Sequence, residues 1–293
     1  MKIHSVAWGW TPTPEDMPGG DSLLHIADQV KALGFDGVDY LSTFESLDTY
    51  FTKAECERIR DHVKGLGLSI GGFVFQSDLW NSPDQADTDK QLAYFGKCAQ
   101  AADWLGAKII SCIVPGPYGA KGTRRDRSPS EKVTSNLPKG YDWDADWARF
   151  TGTLAKACDI AAKYDITVAL ECFPRSLCAT PHAMLQAIKD VNRPNFGIQM
   201  DTAHLMNQNI DVETTVYMLK DHIKHVHLKD TDGLTRGNLP CGSGLVDYAR
   251  LFAVLKDIGY KGRASVEVEF TDNPRRYMRD ALHHVNLCLD GSF

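Results

Sequence analysis

A chain of 293 residues is long enough for one large α/β barrel or for two ordinary domains, so the pattern along it has to decide. Apolar residues make up 43% of it and charged ones 24%, with a net charge of −6 and a sequence pI near 5.9. That acidic balance argues against nucleic acid as a partner, since phosphate contacts need a basic face, and no apolar run approaches the roughly 18 residues that cross a bilayer. The opening Met1-Lys2-Ile3-His4-Ser5-Val6 is too short in its apolar stretch for a secretory signal and reads as a first strand. Eight cysteines with no C-x-x-C pair are too sparse for a disulfide scaffold. Cys112 and Cys172 fall inside apolar runs, where a thiol behaves as a small hydrophobe, so a reducing cytoplasm is expected.

Short β-rich runs then alternate with longer amphipathic segments. The predicted strands are Ile3–Trp8, Gly37–Leu41, Leu68–Phe75, Lys108–Val114, Thr167–Cys172, Phe196–Asp201, Ile223–Leu228 and Ala264–Phe270. Between them, apolar residues recur at three- and four-residue spacing over Leu23–Leu33, Lys53–Leu66, Lys90–Leu105, Trp147–Tyr164 and Tyr248–Ile258. Thr180-Pro181 reads as a helix start, an N-cap followed by proline in the first turn. Gly34–Asp39 and Gly259–Gly262 read as tight helix-to-strand turns. Eight strand–helix alternations imply a parallel sheet with crossover helices, and eight is the number that closes a (β/α)8 barrel. A doubly wound open sheet would typically carry a phosphate-binding glycine loop after its first strand, and none is present. The expectation is one barrel domain over residues 1–293.

One stretch breaks the rhythm. From Pro115 to Trp143 the chain is rich in Gly, Pro, Ser and charge, without helical periodicity. This long loop follows strand 4 and would emerge on the catalytic face. Within Lys121–Lys132 five basic residues face two acidic ones, which suits a solvated insertion as well as a lid or a subunit contact.

Active sites of eight-fold barrels sit at the C-terminal ends of the strands. There Glu171, Asp201, His227 and Glu267 end or interrupt the apolar runs of strands five to eight. A lone carboxylate at a strand end is ordinarily a cap or a salt-bridge partner, and a lone histidine on an apolar strand is ordinarily a hydrogen-bonded core residue. Four such groups on successive strands read differently. Burying three carboxylates and an imidazole together is costly unless they are paired or bind metal, and a dication would neutralise them. Three oxygens and one nitrogen leave open positions on a six-coordinate hard cation, which favours Mn2+ or Mg2+ over structural zinc; Mn2+ is the first expectation, with Mg2+, Co2+ and Zn2+ as alternatives.

Asp201-Thr202-Ala203-His204, His225-Val226-His227-Leu228-Lys229-Asp230, Gly242-Ser243-Gly244 with Val246-Asp247, and Gly259-Tyr260-Lys261-Gly262 before Ser265-Val266-Glu267 resemble motifs of a known group. It is the sugar phosphate isomerase/epimerase superfamily of xylose-isomerase-like TIM barrels, and the likeness is strongest over residues 165–270. In motif the chain is most similar to ketose 3-epimerases and inosose dehydratase-like proteins. The resemblance implies that Glu171, Asp201, His227 and Glu267 hold one divalent ion, that Glu171 and Glu267 are the acid/base pair, and that His204 touches substrate hydroxyls. It implies proton abstraction next to a carbonyl through a metal-stabilised enediolate. Glu269 shares the strand parity of Glu267, and His225 that of His227 one layer deeper. The five-residue spacing from Gly262 to Glu267 fits the family pattern, so the resemblance implies Glu267 rather than Glu269 as the ligand. Where those epimerases carry a further glutamate, this chain has Leu177. Arg175, Lys229 and Arg236 are candidate substrate contacts or solvated loop charges. Trp8, with Trp10, offers an indole face to a sugar or to the core.

Rival functions use the same residues. A metal-dependent lyase on keto sugars, of the inosose dehydratase or C-glycoside deglycosidase kind, would expel a leaving group from the same intermediate. The related endonuclease branch needs further histidine ligands on strands two and three. Those strands here read Asp39-Tyr40-Leu41-Ser42 and Phe73-Val74-Phe75-Gln76, without histidine. A non-catalytic sugar-binding partner subunit would not need both glutamates. The expected partners are a small sugar or keto-sugar and further copies of the chain as a homo-oligomer, dimer or tetramer, with a hetero-oligomer as the alternative. No nucleic acid and no membrane are expected.

Overall fold

The structure is a computed structural model describing residues 1–11, 18–120, 137–234 and 239–292. Eight short strands are β1 (Lys2–Val6), β2 (Gly37–Ser42), β3 (Ser69–Phe75), β4 (Ile109–Ile113), β5 (Thr167–Glu171), β6 (Phe196–Asp201), β7 (Ile223–Leu228) and β8 (Arg263–Val266). They pair in parallel in sequence order, and β1 also pairs with β8, so the sheet closes into a barrel. Around it run α1 (Asp21–Leu33), α2 (Phe44–Thr49), α3 (Lys53–Gly65), α4 (Gln85–Leu105), α5 (Trp143–Ala162), α6 (Pro181–Val191), α7 (Thr202–Met206), α8 (Val212–Leu219), α9 (Tyr248–Asp257) and α10 (Pro274–Asp290). No described helix is long and apolar enough to cross a membrane. All eight cysteines are free and buried.

Helix starts are set by side-chain caps. Thr52, Asp84, Asp142, Thr180, Asp211 and Asp247 each accept a backbone N–H from the first turn that follows, a contact worth about 1 kcal/mol apiece. Thr180-Pro181 opens α6 as its sequence predicts. Caps also explain two corrections. Helix α4 begins at Gln85 and α5 at Trp143, earlier than the predicted Lys90 and Trp147. Their first turns carry the cap and acidic residues rather than the apolar repeat. Strand limits differ as well, by one residue at several ends and by more at the ends of the first and last strands. The first ends at Val6, with Trp8–Trp10 in a 3-10 turn, and the last ends at Val266 rather than Phe270.

The period-two alternation of strands sorts the barrel into two environments. Val168 and Leu170, Ile198 and Met200, Val226 and Leu228, Ala264 and Val266 belong to the apolar core with the surrounding helices. The alternate residues face the interior, which is polar instead of the branched aliphatic fill common in such barrels. His4, Asp39, Gln199, His225 and Ser265 are all buried there.

Asp39 organises that interior layer. Its Oδ1 accepts from the Gly72 N–H at 2.9 Å and lies 3.3 Å from His4 Nδ1. Its Oδ2 accepts from Ser265 Oγ at 2.6 Å and lies 2.9 Å from His225 Nε2. A Cβ on Gly71 would meet Asp39 Oδ1 and His4 Nδ1 at 2.2 Å, so only glycine leaves room for the layer. Burial disfavours the Asp39 charge, but His225 and His4 outweigh it and hold the carboxyl well below its usual range. A depressed carboxylate contributes stability above its unfolded pKa of about 3.9, lost as pH falls through the folded value. Asp39→Ala should therefore cost about 3–5 kcal/mol at neutral pH, the usual result of leaving buried partners unmatched. In urea unfolding at stepped pH the deficit should stay flat down to about pH 4 and narrow below it.

Candidate metal centre at the C-terminal mouth

The four predicted ligands arrive from four neighbouring strands. Glu171 is the last residue of β5 and Asp201 the last of β6, while His227 is the penultimate residue of β7. Glu267 follows β8 directly, and its N–H donates to the Leu228 carbonyl at 3.0 Å, which extends the β7–β8 pairing by one step. Asp201 and His227 are register partners, as are Glu171 and Gln199. One donor atom from each of Glu171, Asp201, His227 and Glu267 lies within 4.8 Å of the others.

Each side chain is already half committed. Asp201 caps α7, its Oδ1 accepting from the His204 N–H at 2.8 Å, while Oδ2 is buried and accepts no hydrogen bond among the described residues. His227 Nδ1 lies 2.6 Å from Glu267 Oε2 and 3.3 Å from Glu171 Oε1. Gln199 Nε2 is 3.2 Å from the same nitrogen, and the Gln199 carbonyl accepts from Ser111 Oγ.

The charges are poorly balanced by the protein alone. Burial drives Asp201 toward its protonated form, and the facing Glu267 and Glu171 reinforce this, so its carboxyl sits well above the usual range. Burial works against the His227 cation as well, yet Glu267 and Glu171 hold the imidazole well above its ordinary value. Burial would also raise Glu267, but Lys229 and His227 keep it well below. Three buried carboxyls thus share a space that, apart from the Lys229 cation, is relieved by protons on Asp201 and His227. A hard dication would supply that charge directly, and its preference for oxygen donors matches the donor set. The residues fit such an ion.

A second cluster, Asp39 with His225 and His227, has donor atoms equally close. The four contacts on Asp39 engage the lone pairs of both its oxygens, so it reads as a hydrogen-bonded layer below the centre. His225 does lie one layer beneath His227, with ring centroids 5.3 Å apart.

The predicted substrate contacts fare unevenly. His204 is buried, its Nε2 3.7 Å from Asp201 Oδ2 and its ring 4.0 Å from the Phe173 ring, so it stands beside the cluster. Trp8 is buried too, and its indole N–H reaches toward Glu267 Oε1 at 3.4 Å. Arg175 is half-buried in the loop after β5 with a left-handed backbone, φ 65°. Arg236 lies outside the described residues. Lys229 is not a solvated loop charge: its side chain is 2% exposed and its ammonium is paired with Glu267 and Glu269. Leu177 is packed in the core, with its N–H donating to the Pro115 carbonyl at 3.0 Å.

Two loops frame the mouth. Asp230 accepts from the N–H groups of Thr231, Gly242, Gly244 and Val246, so one carboxylate shapes the loop after β7. A Cβ on Gly244 would lie 2.3 Å from Asp230 Oδ1, which explains the second glycine of the Gly-Ser-Gly motif. The described ends of the long loop converge on Asp146, which accepts from the Tyr118 N–H at 2.8 Å and the Tyr141 hydroxyl at 2.7 Å. Residues 121–136, with the whole basic run Lys121–Lys132, lie outside the described part.

A closed eight-stranded parallel barrel with a carboxylate–histidine cluster at its C-terminal mouth defines a class of barrel protein. Residues 27–288 match the xylose isomerase-like TIM barrel family, and the chain belongs to that family. A relative at 32% identity over 268 residues is the L-ribulose-5-phosphate 3-epimerase UlaE of Salmonella paratyphi A, with 88% of this chain and 87% of the relative covered. Among solved structures, an L-ribulose 3-epimerase superposes with a TM-score of 0.78 at 18% identity, covering 99% of this chain and 95% of that one. The 3-keto-D-glucoside 4-epimerase YcjR of E. coli gives 0.77 at 20% identity, covering 98% and 100%. At such identities the two structures speak for the fold alone.

Proposed function

We propose that the chain is a divalent-metal-dependent sugar epimerase that removes and returns a proton next to a carbonyl. The observation that carries this reading is the convergence of Glu171, Asp201, His227 and Glu267 at the mouth of a barrel 32% identical to a 3-epimerase. When bound, a divalent ion supplies an electrophile that polarises the substrate carbonyl and favours negative charge on its oxygen. Mn2+ is the ion of choice for this donor set.

Inverting one carbon requires a proton to leave from one face and return on the other. Two carboxyl groups, one ionised and one protonated at the start, are the simplest means. Glu171 and Glu267 take those parts. Asp201 and His227 act only as ligands, Asp201 being immobilised through its capping bond. His204, beside Asp201, meets a substrate hydroxyl, and buried Trp8 walls the site against water. The substrate is a ketose, with ketopentose 5-phosphates the first members to try because the 32%-identical relative is named for one. The chain works as one domain, in a homodimer or homotetramer.

Chromatography of the Mn2+-restored chain with ketopentose phosphates, free ketohexoses, 3-keto glycosides and inososes tests the reaction. Interconversion of two epimers is the expected outcome. Release of water or of an aglycone would make the protein a lyase of the same mechanism, and no conversion of any member would contradict both.

A further inference from the structure

A buried cation lies beside the centre and belongs to none of the four ligands. Lys229 Nζ is 3.2 Å from Glu267 Oε1 and 2.6 Å from Glu269 Oε2. Its backbone is clamped as well. Thr202 Oγ1 accepts from the Lys229 N–H at 3.0 Å and donates to the Lys229 carbonyl at 2.6 Å. The ammonium is thus fixed at both ends of its side chain.

The consequence is an asymmetry between the two glutamates. Glu267 Oε1 faces two donors, Lys229 and the Trp8 indole N–H at 3.4 Å, which leaves Oε2 beside His227. Glu171 has no such anchor: its one ion-pair contact among the described residues is Oε1 at 3.3 Å from His227 Nδ1. A carboxylate held through one oxygen presents the other in one orientation, whereas a carboxylate with a single, longer contact is less constrained.

We propose that Lys229, steadied by Glu269 and assisted by Trp8, is a positioning residue that occupies Glu267 Oε1 and so offers the ion and the substrate Oε2 alone. Glu267 is then the rigid, single-oxygen ligand of the centre and Glu171 the adaptable one. This rests on the metal-dependent reading above. It extends that reading by giving the Lys229 ammonium a task other than gripping substrate.

Lys229→Met with Glu269→Leu removes the buried charges as a pair, a change that buried ion pairs often tolerate. Calorimetric titration of the metal-stripped full chain with Mn2+ is the test, with circular dichroism as the check on folding. We expect Mn2+ to bind about 10–100-fold more weakly in the double variant, the usual loss when a group supporting a ligand is removed. We also expect kcat to fall more than KM rises, because aim matters most in the transition state. Lys229→Gln keeps a donor without the charge and should fall between, and it decides the matter if the double variant does not fold. Affinity within about threefold of the parent in the folded variant would overturn the assignment of Lys229. If the parent chain itself binds no Mn2+, the metal-dependent reading fails and this one with it. Tight binding by the parent that survives in the variant removes only this one.

Discussion

Glu171→Gln and Glu267→Gln should each lower kcat on the ketose substrate by about 10²–10⁴-fold, the range that one positioned acid or base supplies. Glutamine keeps the size of the side chain and one oxygen, so the barrel should fold, but it cannot take up or release a proton at that oxygen. The two variants should differ in a second respect. Glu267 bridges Lys229 and His227, so its amide would leave the buried Lys229 with Glu269 as its remaining carboxylate partner. The one ion-pair contact of Glu171 among the described residues is His227, and its loss disturbs less around it. A lower thermal midpoint for Glu267→Gln than for Glu171→Gln is therefore expected, with comparable losses of turnover. Full activity in either variant would remove that residue from the proton-transfer pair.

The second large effect concerns the ion. Three buried carboxyls and a histidine share one small space, with Asp201 pushed toward its neutral form by burial and by the other two. A dication that binds only the folded chain stabilises it by mass action, about 2.7 kcal/mol at one hundred times its dissociation constant. For a domain of this size that corresponds to roughly 4–5 °C in the thermal midpoint. Chelation followed by Mn2+ addition should lower and then restore the midpoint by that amount, and turnover should follow it. His227→Ala should abolish the response, since it removes the nitrogen closest to both glutamates. A midpoint that ignores chelator and Mn2+ alike would contradict a metal centre at these residues.

Much of the site is legible in the sequence because of how a barrel strand is written. Leu170 and Glu171, Met200 and Asp201, Val226 and His227 alternate between an apolar outer face and an inner one, and a charged residue at the inner end of an apolar run stands out. The strand count follows from the same alternation. What was not legible depends on which strand meets which. Lys229 looks like any loop lysine until Glu267 and Glu269 of another strand's end are seen around it. Gln199 and Asp39 are polar residues inside strands whose partners, Ser111, His225 and Ser265, lie on other strands of the barrel. The parity of Gln199 with Asp201 was the one local signal that could have found the former. Helix starts at Gln85 and Trp143 escaped the periodic pattern because a capped first turn is polar by nature.

The central claim is abstraction of a carbon-bound proton beside a carbonyl, and proton NMR of the Mn2+-restored chain with a ketopentose 5-phosphate in D2O reads it directly. Loss of the signal of the proton next to the carbonyl, with deuterium in substrate and epimer alike and slower formation of the epimer in Glu171→Gln, is the result the account predicts. Epimer formation with the original proton retained, or an undiminished signal after prolonged incubation across the ketose panel, would contradict it.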